Sequence, residues 1–463
     1  MSSLTHLARA VASAFLSGEW HVRVMMARAA FACTEPPLRT PDSAMFTART
    51  ATPEFQTHRH DWVRTLAFQT LELWEQPPLS DAEPLIAWLA AHPILQDAWM
   101  SGAVSATPRL LSWQPQMDAA RWPVRALHTF DDVRAWLNVD DGQLEWLADR
   151  RGLLSRAEDE RLQHYTWRWV ARGERLPRLI EAPKQHLKSL QRRVLEDVLS
   201  QVPAHEAAHG FVRGRGVKTH AAIHAGQRLV VRFDLEAFFT WVQPVRAHRL
   251  FRALGYPRAV ASLLVGLCTT QTPERVLRAA PRPADERSNE LFQLQRRLAQ
   301  SHLPQGAPTS PSLANLTCWS LDVRLTNWAE RVGATYSRYA DDLVFSGSSS
   351  LSVGGLTRAV SAICRDEGFR VNAAKTRVMH AHRRQQVTGL VVNQGVAVPR
   401  AQRDALEAQL FNLARGRLLE ADVPLTALRA HLEGRVSWVG HAHPKHATWL
   451  RELLARIDWT SLG

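Results

Sequence analysis

The chain has 463 residues, 45% of them hydrophobic, with 17 Trp and a formal charge of +13. That much apolar material excludes a disordered protein and is enough for several packed domains. Four cysteines, Cys33, Cys268, Cys318 and Cys364, stand far apart, which argues against a short-spaced zinc site or a disulfide framework and suits a reducing compartment. No apolar run reaches membrane-spanning length, and Met1 to Trp20 include Arg9 and Glu19 where a signal peptide would be uniformly apolar. The expectation is a cytoplasmic protein with no membrane partner.

The charge is unevenly placed. Residues 1–124 hold 9 Arg, no Lys and 11 Asp+Glu, a balance of −2, which leaves +15 for residues 125–463. Such an excess predicts a polyanionic partner, because each cation set on a phosphate releases condensed counterions. Most of it is Arg, with Lys only at 184, 188, 218, 375 and 445. Guanidinium grips phosphate with paired bonds, though a GC-rich genome gives the same bias with no functional meaning.

Residues 1–124 read as short helices between proline breaks such as Pro36-Pro37 and Pro77-Pro78, with a helix at Glu83 to Ala91 that has proline in its first turn. Nine of the 17 Trp precede residue 150, and they are expected to be core residues of a small helical domain. No catalytic pattern occurs there. Thr129 then caps a helix and Gln143 opens another. A strand pair is predicted at 164–170 and 177–180 around a turn at Gly173-Glu174. A basic amphipathic helix over 184–195 follows, which is either a solvated face or the lining of a nucleic-acid groove.

The run Val230-Val231-Arg232-Phe233-Asp234 reads as a buried strand ending on an acid, followed by a long helical stretch. Residues 272–300 are Arg-rich and are expected to be an exposed insertion. Leu303 to Ser312 open a helix through Leu321, with small residues and Gly306 allowing close approach to the backbone. Next, Tyr339-Ala340-Asp341-Asp342 sits before the apolar Leu343-Val344-Phe345.

Adjacent Asp residues in a turn are ordinarily just solvated. Buried strands on both sides, with a third acid at the end of another strand, favour a carboxylate cluster instead. Joining a hydroxyl to an α-phosphate uses two divalent cations roughly 3.5–4 Å apart. Magnesium asks only a few hard carboxylate ligands of the protein. Asp234, Asp341 and Asp342 on neighbouring strands are therefore expected to hold two Mg2+ ions, and Lys375, beyond the next helix, is expected to reach a triphosphate. Val387 to Asn393 reads as a hairpin arm, and 400–463 return to helix with Arg415, Arg417, Arg429 and Arg435 among apolar positions.

This order of Asp234 strand, Gln305-Gly306 helix, Tyr339-Ala340-Asp341-Asp342 hairpin, Lys375 and Gly389 hairpin resembles that of reverse transcriptases, from about residue 125 to 463. Within them it is similar to the retron enzymes of bacteria. Val387-Thr388-Gly389 stands at their Val-Thr-Gly, His220-Ala221-Ala222-Ile223-His224 at their Asn-Ala-x-x-His, and Leu303 to Pro311 matches their Leu-Pro-Gln-Gly-Ala-Pro-Thr-Ser-Pro throughout. His220 departs from the Asn, and Ala237 from an Asp common in the Asp-Leu-x-Asp-Phe-Phe segment.

The resemblance implies an α+β right-hand fold. Residues 125–399 would form fingers and an antiparallel palm and 400–463 an RNA-binding helical thumb, with 1–124 as a mainly helical N-terminal extension. It implies that Asp234 and Asp341 ligate magnesium with Asp342 beside them, and that Phe239 packs under the sugar and excludes a ribose 2′-hydroxyl. Gln305 would touch the incoming deoxynucleoside triphosphate, and Arg178 and Lys375 its phosphates, with Arg172 a second candidate. His220, His224, Val387, Thr388, Gly389, Arg415, Arg417 and Arg435 would bind RNA.

It further implies a cognate non-coding RNA copied into RNA-linked single-stranded DNA (msDNA). Priming would come from an internal guanosine 2′-hydroxyl. Residues 400–463 are too few for an RNase H domain, so a host RNase H would remove template. A possible effector protein and an antiphage defence role come from the resemblance alone. The alternatives are another bacterial reverse transcriptase, of the group II intron or diversity-generating kind, and a non-catalytic RNA-binding scaffold.

Overall fold

The computed structural model describes residues 3–33, 61–74, 77–78, 80–104, 107–173, 175–282, 287–417 and 424–460; Pro36-Pro37 and Glu174 lie outside them. The chain separates into two compact units, residues 1–151 with 248–267, and residues 152–247 with 268–463. The sequence reading drew its first boundary at 124/125.

In the first unit, helices Ser3–Leu16, Val22–Cys33, Asp61–Leu73, Glu83–Ala91 and Pro93–Met100 close over a core that includes Leu7, Val11, Phe15, Met25, Leu66 and Leu89. The core is built mainly from Leu, Ala and Val. Trp20, Trp62, Trp74, Trp88, Trp99 and Trp113 pack against it while only partly buried, so these indoles form its rim, contrary to the expected core role, which Trp136, at 4% exposure, does fill. An indole is large and carries an N–H that needs a partner, which favours a half-wet position; Trp20 donates to the Trp74 carbonyl at 3.2 Å.

Thr129 caps helix Phe130–Leu137 through a reciprocal capping box with Asp132, and Asp140 caps Asp141–Ala148 likewise with Gln143. The later segment 248–267 is stitched in at three places. Asp118 N–H donates to the Gly255 carbonyl at 2.9 Å, Tyr256 Oη donates to Arg125 O at 2.8 Å, and Gly266 passes so close that a Cβ there would run into the Ala148 carbonyl.

In the second unit, strands β1 (Tyr165–Arg172) and β2 (Arg175–Pro183) form an antiparallel hairpin. β3 (Leu229–Asp234), β4 (Ala334–Tyr339), β5 (Asp342–Gly347) and β6 (Arg377–His380) make one antiparallel sheet in the order β4-β5-β3-β6. β7 (Gln386–Val387) and β8 (Leu390–Val391) form a second small hairpin. β3 is paired on both edges and carries Leu229, Val230, Val231 and Phe233 into the core.

Residues 272–300 are a correction to the sequence reading. Helices Glu274–Arg278 and Ser288–Leu298 bring Val276, Leu277 and Leu298 onto Leu179, Trp167 and Trp169 of the β1–β2 hairpin, so the Arg-rich stretch covers that sheet face. The expected helix through Leu321 divides at Cys318 into Ser310–Thr317 and Trp319–Arg331. Helices Arg400–Ala414, Leu425–Ala442 and Pro444–Ala455 complete the unit around Leu406, Leu410, Leu432, Val436 and Leu450. Among the described residues no helix is long and apolar enough to cross a membrane.

Candidate active site

β3 and β5 run antiparallel in a register that sets Asp234 opposite Asp342, and Leu235 N–H donates to the Asp341 carbonyl at 2.9 Å. Directly paired residues project to the same face of a sheet, as do residues two apart on one strand. Arg232 thus joins Asp234 and Asp342 on one face, and its Nε and Nη2 donate to Asp342 Oδ1 at 3.0 and 2.7 Å.

Asn372 N–H donates to the Asp234 carbonyl, and the Asn372 side chain caps the short turn Ala373–Lys375. That turn delivers Lys375 Nζ to Asp234 Oδ1 at 2.7 Å. Burial, then the neighbouring charges of Asp342 and Asp234, push Asp341 up to about 6. Burial also raises Asp342, and Arg232 works against that rise. Two cations therefore face three clustered acids, and the carboxyl with no ion-pair partner of its own carries the strain.

The turn's far side is dry. Arg338, fully buried two residues before Ala340, donates from Nε and Nη2 to Asp322 at 2.8 and 2.6 Å, and from Nη1 to Asn315 Oδ1 at 2.9 Å and the Ala340 carbonyl at 3.2 Å. Burial alone would lower its pKa, but Asp322 holds it above the ordinary range. Tyr336 Oη donates to the same Asp322 at 2.9 Å. Asn315 Nδ2 donates to Gly210 O at 2.8 Å, and a Cβ on Gly210 would stand 2.7 Å from Ala340 N. Ala340 itself is left-handed at φ 56°. Sequence reasoning missed Arg232, Arg338, Asp322, Asn315 and Gly210; the two-residue spacing from Arg232 to Asp234 was the readable signal.

Elsewhere, Arg178 on β2 donates from Nε to Gln305 Oε1 at 2.9 Å, so these two expected nucleotide contacts meet. Arg172 is exposed at the hairpin turn, where it registers with Arg175. Phe239 follows left-handed Ala237 on the short helix Phe238–Trp241, half-buried against the Phe238 ring at 5.5 Å.

His220, His224 and Val387, expected to touch RNA, are 0% exposed, and this corrects that expectation for their side chains. His224 bonds Ser346 and Ser337, each at 2.7 Å. Burial pushes His220 down to about 2 and His224 to about 3, so both are neutral and bring no charge to a phosphate. Val387 lies in the core beneath the three C-terminal helices. Thr388 and Gly389 are both left-handed, at φ 45° and 86°, as a two-residue turn joining twisted strands requires. Of the C-terminal candidates, Arg415 and Arg417 are exposed, Arg415 over the Phe411 ring at 4.2 Å, while Arg435 is engaged with Gln409 at 2.8 Å.

Divalent metal ions are the general cofactors of reverse-transcriptase domains, and the donor chemistry here fits them: three hard-oxygen acids gather at one end of the β3–β5 pair, where burial and the charges of Asp342 and Asp234 raise Asp341. Among the described residues no group of three His, Cys, Asp or Glu is arranged to hold an ion; Asp234 Oδ1 is bonded to Lys375 and Asp342 Oδ1 to Arg232.

An antiparallel sheet with an acid-bearing hairpin against a third acid, flanked by a fingers-like hairpin and a helical C-terminal region, defines a right-hand polymerase of the reverse-transcriptase class. The family model described as reverse transcriptase (RNA-dependent DNA polymerase) matches residues 173–396. The chain is 38% identical over 344 residues to the retron Mx65 reverse transcriptase of Myxococcus xanthus, covering 73% of each. It is 37% identical over 297 residues to the retron Mx162 reverse transcriptase of the same species, covering 61% of this chain and 58% of that one. To the retron Ec86 reverse transcriptase of Escherichia coli it is 28% identical over 285 residues, covering 60% and 78%. The chain belongs to the retron reverse transcriptases. It is an RNA-directed DNA polymerase that takes a template RNA and nucleotide substrates.

Proposed function

We propose that the three acids of the β3–β5 register are the catalytic centre of msDNA synthesis. The single observation carrying this is the pairing of Asp234 with Asp342 beside the turn that holds Asp341. Asp234 and Asp341 would hold two magnesium ions, with Asp342 beside them, and the ions would supply a lowered hydroxyl pKa and neutralisation of the leaving pyrophosphate. Arg178 and Gln305 receive the incoming deoxynucleoside triphosphate, and Lys375, now on Asp234, serves its phosphates. The Phe239 ring excludes a ribose 2′-hydroxyl.

The template and primer are one cognate structured non-coding RNA, primed from an internal guanosine 2′-hydroxyl, and the product is RNA-linked single-stranded DNA. Residues 125–399 act as fingers and palm and 400–463 as the thumb, where exposed Arg415 and Arg417 meet RNA phosphate; 1–124 act as an extension. A host RNase H removes template, an effector protein completes an antiphage system, and the site of action is the cytoplasm.

The test is to purify the full chain, extract bound nucleic acid and sequence it. A specific small RNA joined to DNA supports the reading, and its absence beside retained polymerase activity sinks the msDNA role. Loss of magnesium-dependent incorporation in Asp341→Ala and Asp342→Ala tests the centre itself.

A further inference from the structure

Glu181 is an acid in the interior of β2, three residues past Arg178, and both it and His302 have side chains only 1% exposed. Its carboxylate is saturated with donors. Thr272 Oγ1 donates to Oε1 at 2.8 Å, while His302 Nε2 donates to Oε2 at 2.9 Å and Gln305 N–H to the same oxygen at 3.4 Å. The other ring nitrogen of His302, Nδ1, stands 2.7 Å from the Gln300 carbonyl. A carbonyl oxygen only accepts, so Nδ1 carries hydrogen, and Nε2 against a carboxylate carries another. The ring is an imidazolium. Burial pulls its pKa down, but the Glu181 charge, the bond to it and the Gln300 carbonyl together hold it above the ordinary value. Tyr165, which feels the Glu181 charge, and Cys268, which interacts with Tyr165, are both pushed up by burial, Cys268 to about 12, and stay neutral.

This pair fixes Gln305 from behind. Glu181 N–H donates to the Gln305 carbonyl at 2.8 Å while the carboxylate takes the Gln305 N–H, so residue 305 is held at both ends by residue 181. Gly306 sits so near that a Cβ would come within 2.8 Å of Glu181 O. In front, the Gln305 side chain accepts from Arg178. We infer that the buried His302–Glu181 pair is a positioning device for the nucleotide-contacting edge formed by Arg178 and Gln305, and that it works only with His302 protonated. This rests on the reading that Arg178 and Gln305 meet the incoming nucleotide. Loss of the His302 proton leaves a bare ring nitrogen against the carboxylate and frees the loop, whereas the acids of the β3–β5 register are not part of this knot.

The experiment is single-nucleotide incorporation by the full chain on a primed RNA template, with KM for the deoxynucleoside triphosphate measured against pH. Wild type is compared with His302→Gln and Glu181→Gln, and with Arg178→Ala and Gln305→Ala as controls. KM does not depend on the fraction of folded enzyme, so a merely destabilised variant leaves it unmoved. Expected is a KM about tenfold higher in both pair variants near pH 7, with kcat changed by less than about threefold, as the loss of one charged buried contact implies. Wild-type KM climbs as pH rises past the alkaline side of the ordinary histidine range and the imidazolium is lost, and His302→Gln removes that climb. Variant KM values within about twofold of wild type, a wild-type KM flat over that range, or a climb that survives in His302→Gln would each overturn the inference. If the controls also leave KM unchanged, the nucleotide role of Arg178 and Gln305 fails with it, whereas altered controls beside normal pair variants sink the pair alone.

Discussion

The two sides of the Tyr339–Asp342 turn are built on opposite electrostatic plans. On the dry side, Arg338 and Asp322 are both fully buried and every contact is matched, donor to acceptor. On the working side, three acids meet Arg232 and Lys375, whose side chains remain 35% and 47% exposed, and Asp341 is left with its proton affinity raised. The difference teaches that a cluster of like charges is tolerable where the backbone carrying it is over-determined from behind. Ala340, held left-handed by Gly210 and Arg338, is the joint between the two plans.

Breaking the working side has the largest effect on activity and the opposite effect on stability. Asp341→Asn is expected to lower incorporation by about a thousandfold, the loss of several kcal/mol of charge stabilisation, in a single-turnover assay. The same variant should melt higher near pH 7 by up to about 2 kcal/mol. The sign follows from linkage. An acid with a folded pKa near 6 binds its proton more tightly in the folded state, so its penalty is full above that value and relieved as pH falls towards the unfolded value. Wild-type stability should show that relief between about pH 6 and about pH 4 and the variant should lack it, read by denaturant melts.

Breaking the dry side does the reverse. Arg338→Met leaves Asp322 buried without its cation, with only the Tyr336 hydroxyl bond remaining among the described residues, and is expected to cost about 3–5 kcal/mol of stability in denaturant unfolding. Gly210→Ala drives a Cβ against Ala340 N, a backbone atom that cannot step aside, and is expected to cost about 1–3 kcal/mol with a parallel loss of incorporation. Arg232→Gln gives the smallest effect. The pair is exposed enough for solvent to screen it, so stability should change by less than about 1 kcal/mol. Removing the cation raises the Asp342 pKa, and the acid limb of the pH–rate profile should move to higher pH.

Much of the sheet was legible because its strands announce themselves. Val230-Val231 is a buried run that leads to Asp234, and Leu343-Val344-Phe345 is a buried run that leads away from Asp342. Thr129 and the proline at the start of Glu83–Ala91 marked helix ends through local capping chemistry, which needs no knowledge of the rest of the chain. Arg338 and Glu181 were not legible, since a charge inside an apolar strand declares a partner without saying where it is. Asp322 lies 16 residues from Arg338, whereas His302 lies 121 from Glu181. The 272–300 stretch misled for a related reason. Its arginines read as solvent-facing, while the need of Trp167, Trp169 and Leu179 for a cover is written in another part of the sequence. The retron-like Val-Thr-Gly was readable as a motif, but its burial and left-handed turn follow from packing under the last helices.

The passage of residues 248–267 through the first unit has a practical corollary for anyone dissecting this gene. The stretch returns from between β3 and β4 to fasten Gly255 on Asp118, Tyr256 on Arg125 and Gly266 on Ala148. A deletion beginning at the N-terminus would therefore strip Asp118, Arg125 and Ala148 from a largely helical segment of the polymerase half. Grafting the leading helices onto another enzyme would fail for the complementary reason, because the donor fragment would arrive without its closing segment.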